Sequence, residues 1–191
     1  MRVVGGRLRG RNIAAPASQA IRPTADRLRE TLFNILTHGY SGAVDGARVL
    51  DLFSGTGALG IEAISRGAAF VLFVDDGAEA RALLRENVET LGLGGVTRIF
   101  RRDATKLGPV HPLAPFGLAF LDPPYGRGLA EQALIAARDG NWLIPQALVV
   151  VEEATAAKFV APEGFEELER RPHGDSELIF LRRTHEPTTS R

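Results

Sequence analysis

The sequence contains no cysteine, which excludes disulfide bonds and cysteine-bound zinc. It also lacks an apolar run of membrane-spanning length and an N-terminal run typical of a signal peptide. None of its four histidines falls in a metal-binding motif, so no metal is expected. These absences, with 45% hydrophobic and 24% charged residues among 191, predict a soluble cytoplasmic protein that buries one apolar core.

Lysine is scarce as well, so the positive charge is almost entirely arginine, and it is unevenly distributed. The first 30 residues carry seven arginines against two acids, although the net charge of the chain is zero. A basic segment on an acidic body indicates a polyanionic partner such as RNA. The alternative is a solvated arginine-rich hairpin without a partner. The candidate RNA contacts are Arg7, Arg9, Arg11, Arg27 and, far along the chain, Arg127.

Short apolar runs alternate with helical patterns from residue 47 onward, which predicts βαβ units and a mainly parallel sheet. Strands are predicted at 48–52, 70–74, 96–100, 116–121 and 148–152, and helices at 58–65, 78–91 and 129–137. Two more strands, 165–170 and 178–182, are joined by a turn at 173–175 and should form an antiparallel pair at the sheet edge. Before this core we expect a short β-ribbon at 2–13 and a helix from Thr24 to Thr37.

The most informative segment is Asp122-Pro123-Pro124-Tyr125, which directly follows the fourth predicted strand. Two prolines cannot continue a central strand, so this tetrad begins a loop at the carboxyl end of the sheet, where α/β proteins bind ligands. The Asp122 carboxylate and the Pro123 carbonyl can each accept an N–H, and the Tyr125 ring can stack on a flat group. The tetrad therefore predicts chemistry on the exocyclic amine of a base. The alternative is a rigid turn in which Asp122 caps the next segment.

A glycine-rich loop follows the first predicted strand and has the G-x-G-x-x-G spacing of a nucleotide-binding turn, at Gly55, Gly57 and Gly60. Alone, this pattern also fits a dinucleotide site, or a connector that binds nothing. Asp51 lies just before the glycines, where its carboxylate would repel a diphosphate but attract an ammonium or sulfonium group. Because S-adenosylmethionine carries both of these groups, Asp51 favours it over NAD.

Two further predicted strands also end at acids, and these acids suit the rest of the same cofactor. Asp75 can hold ribose hydroxyls and Asp103 can accept the adenine amine. Asp76 competes with Asp75 for the ribose, and both acids can instead stabilise a helix N-terminus. The predicted cofactor contacts in this part of the chain are Asp51, Phe53, Ser54, Gly55, Thr56, Gly57, Asp75, Asp76, Asp103 and Ala104.

With these motifs the chain resembles class I S-adenosylmethionine-dependent methyltransferases that carry an Asn/Asp-Pro-Pro-Tyr motif. Within them it is most similar to the RsmD family, bacterial enzymes that methylate N2 of a guanine in 16S ribosomal RNA. The segments that carry the resemblance are residues 5–11, 22–24, 26–30, 32–34, 51–60, 85–87 and 121–125. The sequence departs from the family at Asp75-Asp76-Gly77, where a single acid followed by a basic or larger residue is expected.

The resemblance implies a Rossmann-like α/β fold, with a seven-stranded sheet whose last strand is antiparallel. It implies a small N-terminal extension over residues 1–40, a methyltransferase domain over 41–183 and a flexible tail over 184–191. It also implies that Arg22 and Thr24 lie near the methionine end of the cofactor. The expected substrate is ribosomal RNA within the small subunit or its assembly intermediate, and the expected oligomeric state is a monomer.

Other functions remain open at the level of sequence. The tetrad also suits adenine-N6 methylation of DNA or RNA, although no separate element for reading a DNA groove is apparent. A non-catalytic RNA-binding assembly factor that keeps the fold and the cofactor site is a second alternative. An NAD-dependent dehydrogenase is a third, disfavoured by Asp51 and by the absence of a candidate proton-transfer residue in a motif.

Overall fold

A computed structural model of the chain describes residues 1–16 and 26–184, which form a seven-stranded sheet with helices on both faces. The strands are β1 Arg48–Leu52, β2 Phe70–Val74, β3 Thr97–Phe100, β4 Phe116–Leu121, β5 Leu143–Ala154, β6 Phe165–His173 and β7 Ser176–Arg183. The α-helices are α1 Asp26–Gly39, α2 Ala58–Ser65, α3 Ala78–Thr90 and α4 Leu129–Asp139. None of these helices, within the described ranges, is long and apolar enough to cross a membrane.

The strand order is β3-β2-β1-β4-β5-β7-β6, with β1 to β5 parallel and β7 antiparallel to both of its neighbours. The predicted Rossmann-like fold with an antiparallel last strand is confirmed. Successive strands are added in opposite directions on the two sides of β1, because β2 lies on one side and β4 on the other. A crevice forms at the carboxyl ends of the strands at such a switch point.

Two apolar cores flank the sheet, because side chains alternate in direction along each strand. Leu118 and Phe120 of β4 face the core covered by α1, α2 and α3. Ala119 and Leu121 face the opposite core, which α4 covers together with the fully buried Trp142. The central strands of the sheet are therefore packed on both faces.

The main departures from the predicted elements are in β5 and at the N-terminus. β5 begins at Leu143, ahead of the predicted start at 148, and its irregular first half contains Pro145 and Gln146, the latter with φ 68°. The predicted ribbon at 2–13 is short: one antiparallel bridge joins Arg2 and Asn12, and backbone hydrogen bonds from Val3 to Arg11 and from Ile13 to Met1 flank it. α1 ends at Gly39, two residues beyond the predicted end at Thr37, and its predicted start at Thr24 lies outside the described residues.

The N-terminal segment packs against the rest of the chain. Val3, Leu8 and Ile13 belong to the same apolar core as α1 and the adjoining sheet face. The predicted division at residue 40 stays a prediction, and residues 185–191 of the predicted tail lie outside the described residues.

Candidate active site

A cavity of about 260 Å³ opens at the carboxyl ends of β1 to β4. Its walls come from the four segments that follow these strands, so the sheet topology assembles it from residues far apart in sequence. The lining residues are Phe53, Val74, Asp75, Asp76, Arg102, Asp103, Ala104, Thr105, Pro124, Arg127 and Leu129. Five predicted cofactor residues, one residue of the tetrad and one predicted RNA contact therefore meet in one cavity.

The glycine loop between β1 and α2 requires its glycines for two different reasons. Gly57 has φ 82°, and a Cβ there would lie 2.3 Å from Leu84 Cδ1. Gly60 needs no unusual φ, but a Cβ on it would lie 2.4 Å from Phe73 Cε1, so it permits close packing of α2 on the sheet. Phe53, which lines the cavity, has φ 56°. This backbone conformation is strained for a bulky residue.

Asp75 connects the glycine loop to the start of α3. Its Oδ2 accepts the Gly55 N–H at 2.9 Å and its Oδ1 accepts the Gly77 N–H at 2.8 Å. The carboxylate thereby orients the loop while lining the cavity. Asp76 lines the same cavity and is exposed. Both acids line the cavity, and the assignment of the ribose to Asp75 or to Asp76 stays a prediction.

Asp51 is a buried carboxylate, and one of its two oxygens accepts no hydrogen bond from the described residues. Its side chain is 1% exposed, and its Oδ2 accepts the Gly60 N–H at 3.0 Å. Its Oδ1 is buried and has no hydrogen-bond partner among the described residues. Burial, opposed by the Gly60 hydrogen bond and reinforced by the charge of Asp75, holds the pKa of Asp51 well above its ordinary value. An orphaned buried acceptor is a site for a donor from a ligand, and a cationic donor fits it best.

Asp103 lines the cavity in the segment that follows β3. Its Oδ1 accepts the Thr105 hydroxyl at 2.7 Å and the Thr105 backbone N–H at 2.8 Å. The hydroxyl hydrogen bond, followed by that of the backbone, lowers the pKa of Asp103 below its ordinary value. Asp103 is therefore ionised at neutral pH and acts as a hydrogen-bond acceptor.

The tetrad leaves the end of β4 and is fixed against the end of β5. Pro123 is buried, and Pro124 forms part of the cavity wall. The Tyr125 hydroxyl donates a hydrogen bond of 2.6 Å to Glu152 Oε1. The Gly126 N–H donates to Glu153 Oε1 at 3.1 Å. Pro124 is thus the residue of the tetrad that lines the cavity, and two buried acids of β5 hold the loop in place.

The comparisons with known proteins agree with this geometry. A family model described as "Conserved hypothetical protein 95" matches residues 1–182. The ribosomal RNA small subunit methyltransferase D of Escherichia coli K12 is 38% identical over 152 residues, or 80% of this chain and 74% of the relative. The enzyme of the same name from Haemophilus influenzae is 35% identical over 178 residues, covering 91% of this chain and 89% of the relative.

The chain belongs to the ribosomal RNA small subunit methyltransferase D family. The predicted membership of the RsmD family is confirmed. A solved structure described as a putative methyltransferase from E. coli has a TM-score of 0.82 and 31% identity, covering 97% of this chain and 99% of that one. A hypothetical protein from Thermus thermophilus has a TM-score of 0.71 and 32% identity over 94% of this chain and 98% of that one.

In this member of the methyltransferase D family, the N-terminal arginines lie apart from the cavity. Glu62 accepts the N–H groups of Val4 and Gly5 at 3.0 and 2.8 Å, and Ser65 Oγ accepts that of Leu8 at 2.9 Å. These contacts are on the half of α2 farther from the glycine loop. The exposed predicted RNA contacts of this segment are therefore displaced from the site: Arg7, Arg9 and Arg11.

The two other predicted RNA contacts lie in different parts of the structure. Arg27 is exposed on α1, and Arg127 is exposed at the cavity wall beside Pro124. Arg22 and Thr24 lie outside the described residues. Within the described ranges, no group of three or more His, Cys, Asp or Glu side chains is placed to hold a metal ion.

Sequence reasoning missed several residues of the site. Arg102 and Thr105 line the cavity, and Glu152 and Glu153 support the tetrad. The two glutamates carry the same signal as Asp51, since they are acids near the carboxyl end of a parallel strand. Arg102 has no comparable signal, because its place depends on how the segment after β3 turns toward β4.

Proposed function

We propose that this protein transfers the methyl group of S-adenosylmethionine to the exocyclic N2 amine of a guanine in 16S ribosomal RNA. The observation that carries the proposal is the junction of the tetrad with a cavity whose acids come from successive strand ends. Relatives that are named ribosomal RNA small subunit methyltransferases support the substrate class.

The residues of the cavity, together with Asp51 and the glycine loop, which are not among its lining residues, fit S-adenosylmethionine. When bound, the cofactor supplies a methyl group activated by a sulfonium. The buried, unpaired Oδ1 of Asp51 would accept a hydrogen bond from, or lie against, the cationic methionine end. Asp75, with Asp76 as the alternative, would hold the ribose, and Asp103 and Ala104 would contact the adenine. The backbone of the glycine loop, from Ser54 to Gly57, would approach the cofactor closely.

The tetrad would prepare the amine for methylation. The exocyclic nitrogen is a poor nucleophile, because its lone pair is delocalised into the ring. Asp122 and the Pro123 carbonyl, each accepting one N–H, would favour a tetrahedral nitrogen and stabilise the positive charge that develops on it. Orienting the nitrogen toward the methyl contributes further, and well-oriented reactants gain about 7–11 kcal/mol. The proton that the amine loses passes to Asp122 or to water.

Tyr125 would hold the target base, which must leave its helix or come from a loop to reach the site. The hydrogen bond to Glu152 fixes the position of the phenol. Stacking of a base on an aromatic ring is worth about 1–3 kcal/mol.

We propose further that the substrate is an assembled small subunit or its assembly intermediate, and that the protein acts as a cytoplasmic monomer. Arg7, Arg9 and Arg11 are exposed on one short segment held against α2, and so small a basic surface would have difficulty selecting an RNA unaided. A particle presents a folded surface that adds to this recognition. Methylation of naked 16S RNA as fast as of subunits would contradict this part of the proposal.

The reaction is tested by incubating the protein with labelled S-adenosylmethionine and small subunits that lack their own modification, followed by nucleoside mass spectrometry. N2-methylguanosine is the expected product. N6-methyladenosine would keep the mechanism and replace the base. No product on subunits, naked RNA or DNA, with the cofactor still bound, would contradict the proposal and favour a non-catalytic assembly factor.

A further inference from the structure

We propose that Glu152 is a specificity-determining residue that accepts the N1–H of the target guanine and thereby rejects adenine. The inference rests on the proposed function, since it concerns which base enters the site of the tetrad. It assigns a role to a buried acid that the methyl-transfer chemistry described above does not use.

The register of the sheet places Glu152 beside Asp122. Leu121 of β4 pairs with Val151 of β5, so the next residues along the two parallel strands are Asp122 and Glu152. Neighbouring strands are about 4.8 Å apart, so both carboxylates are anchored to the same short stretch of the sheet edge. Two acids so close together repel each other unless hydrogen-bond donors lie between or beside them.

Glu152 is buried where a carboxylate is unfavourable for the fold. Its side chain is 7% exposed, and it borders a small cavity whose other lining residues are apolar, among them Leu32, Phe120 and Leu178. Burying a charge in apolar surroundings is costly unless it is paired. The Tyr125 hydroxyl, at 2.6 Å from Oε1, is a neutral partner within the tetrad itself.

The neighbouring acid has a different task. Glu153 Oε1 accepts the backbone N–H groups of Gly126 and Ala154 at 3.1 and 2.8 Å, which fixes the loop. Successive side chains on a strand point to opposite faces. Glu152 shares the strand face of Val150, which packs with Phe120 in the core beneath α1. Glu152, which accepts the Tyr125 hydroxyl, therefore lies on the face of the sheet that α1 covers, opposite to Glu153.

Guanine and adenine differ at the atom that such a second carboxylate would meet. Guanine has N–H donors at both N1 and N2, next to each other on one edge, so two adjacent carboxylates can each accept one. Adenine has an amine beside an N1 lone pair, which would face the second carboxylate and be repelled. A site built around an N–H donor rejects a base that lacks it, because its buried acceptor stays unpaired.

The test compares guanine with 2-aminopurine, which keeps the N2 amine but carries a lone pair at N1. Each base is placed at the methylated position of otherwise identical RNA, and single-turnover methylation rates are measured. We expect wild type to prefer guanine by about 100-fold, as for one hydrogen bond to a charged acceptor. In Glu152→Gln, whose amide can donate to N1, the preference should fall below about 10-fold.

Two variants separate direct recognition from support of Tyr125. Tyr125→Phe removes the hydroxyl and leaves Glu152 in place, so it should slow both bases alike and keep most of the guanine preference. Glu153→Gln, which retains a carbonyl oxygen for the backbone N–H groups, should also keep the preference. The proposal would be overturned if Glu152→Gln left the ratio of the guanine rate to the 2-aminopurine rate unchanged. It would also be overturned if Tyr125→Phe lowered that ratio as much as Glu152→Gln does.

Folding and activity are controlled separately. Circular dichroism and thermal unfolding show whether each variant is folded. If Glu152→Gln does not fold, Glu152→Asp takes its place, because its carboxylate is one methylene farther from the base, and the same loss of guanine preference is expected. For a folded variant whose methylation is too slow to measure, the binding affinities for the guanine RNA and the 2-aminopurine RNA are compared, and the same loss of guanine preference is expected. Failure of wild type to methylate guanine at all would instead contradict the proposed function, so the two failures are distinguishable.

Discussion

Asp51→Asn should stabilise the free protein while weakening its binding of S-adenosylmethionine. The carboxylate is 1% exposed, and one of its oxygens has no partner among the described residues. Asparagine keeps an oxygen for the Gly60 N–H and removes the buried charge, a relief of about 1–2 kcal/mol. For a chain of this size, that gain raises the Tm by about 2–8 °C. Loss of one charge-assisted contact should weaken cofactor binding by about 10- to 100-fold.

The same residue predicts how stability depends on pH. Because burial raises the pKa of Asp51, folding takes up a proton between the unfolded value of about 3.9 and the raised folded value. The unfavourable contribution is therefore absent below the unfolded pKa, grows as the pH rises and is complete above the folded pKa. In Asp51→Asn this contribution disappears, so the difference in stability between the variant and wild type should increase with pH across that interval.

Thermal unfolding at several pH values and calorimetric titration with S-adenosylmethionine measure both effects. Asp139→Asn, which alters a carboxylate that is 64% exposed, is the charge-matched control and should change neither quantity appreciably. A less stable Asp51→Asn protein with unchanged cofactor affinity would refute the reasoning, since Asp51 would then serve only to anchor Gly60.

Two further substitutions test the packing that supports the site. Glu62→Gln breaks the buried ion pair with Arg29 and should lower the free energy of unfolding by about 3 kcal/mol. This is near the lower limit for breaking such a pair, because Arg29 still has its second ion pair, with Asp26. Urea unfolding measures the change in stability. The control Glu86→Gln, which alters an exposed acid, should stay within about 0.5 kcal/mol of wild type. Equal losses of stability in the two variants would contradict a stabilising role for the buried ion pair. Gly60→Ala places a Cβ 2.4 Å from Phe73 Cε1 and should destabilise by about 1–3 kcal/mol in the same assay, whereas Gly94→Ala, with open space around it, should not. A neutral Gly60→Ala would show that α2 can move away from the sheet freely.

Much of the site could be predicted because parallel strands end at one edge of a sheet. Asp75, Asp103 and Pro124 follow three different strands, and the topology brings them to a single cavity. The tetrad was recognisable because two prolines mark the end of a strand wherever it lies in the fold. The fold class and the family, both confirmed, depend on these same local patterns.

The rest depends on contacts between distant segments, which no local pattern encodes. Glu62 and Ser65 hold the N-terminal segment on α2, and these contacts set where the predicted RNA contacts Arg7, Arg9 and Arg11 lie. The significance of Glu152 emerges only from the register of β5 against β4. The insertion of β7 between β5 and β6 likewise reflects the pairing of edge strands.

The most direct test of the central claim measures methyl transfer and cofactor binding together in wild type and Asp122→Ala. Small subunits lacking their own modification are incubated with labelled S-adenosylmethionine, and N2-methylguanosine is quantified while cofactor affinity is determined by titration. Loss of one group that stabilises the developing charge should lower the rate by about 100-fold or more with little change in cofactor affinity. An Asp122→Ala protein that methylates guanine at the wild-type rate would contradict the account.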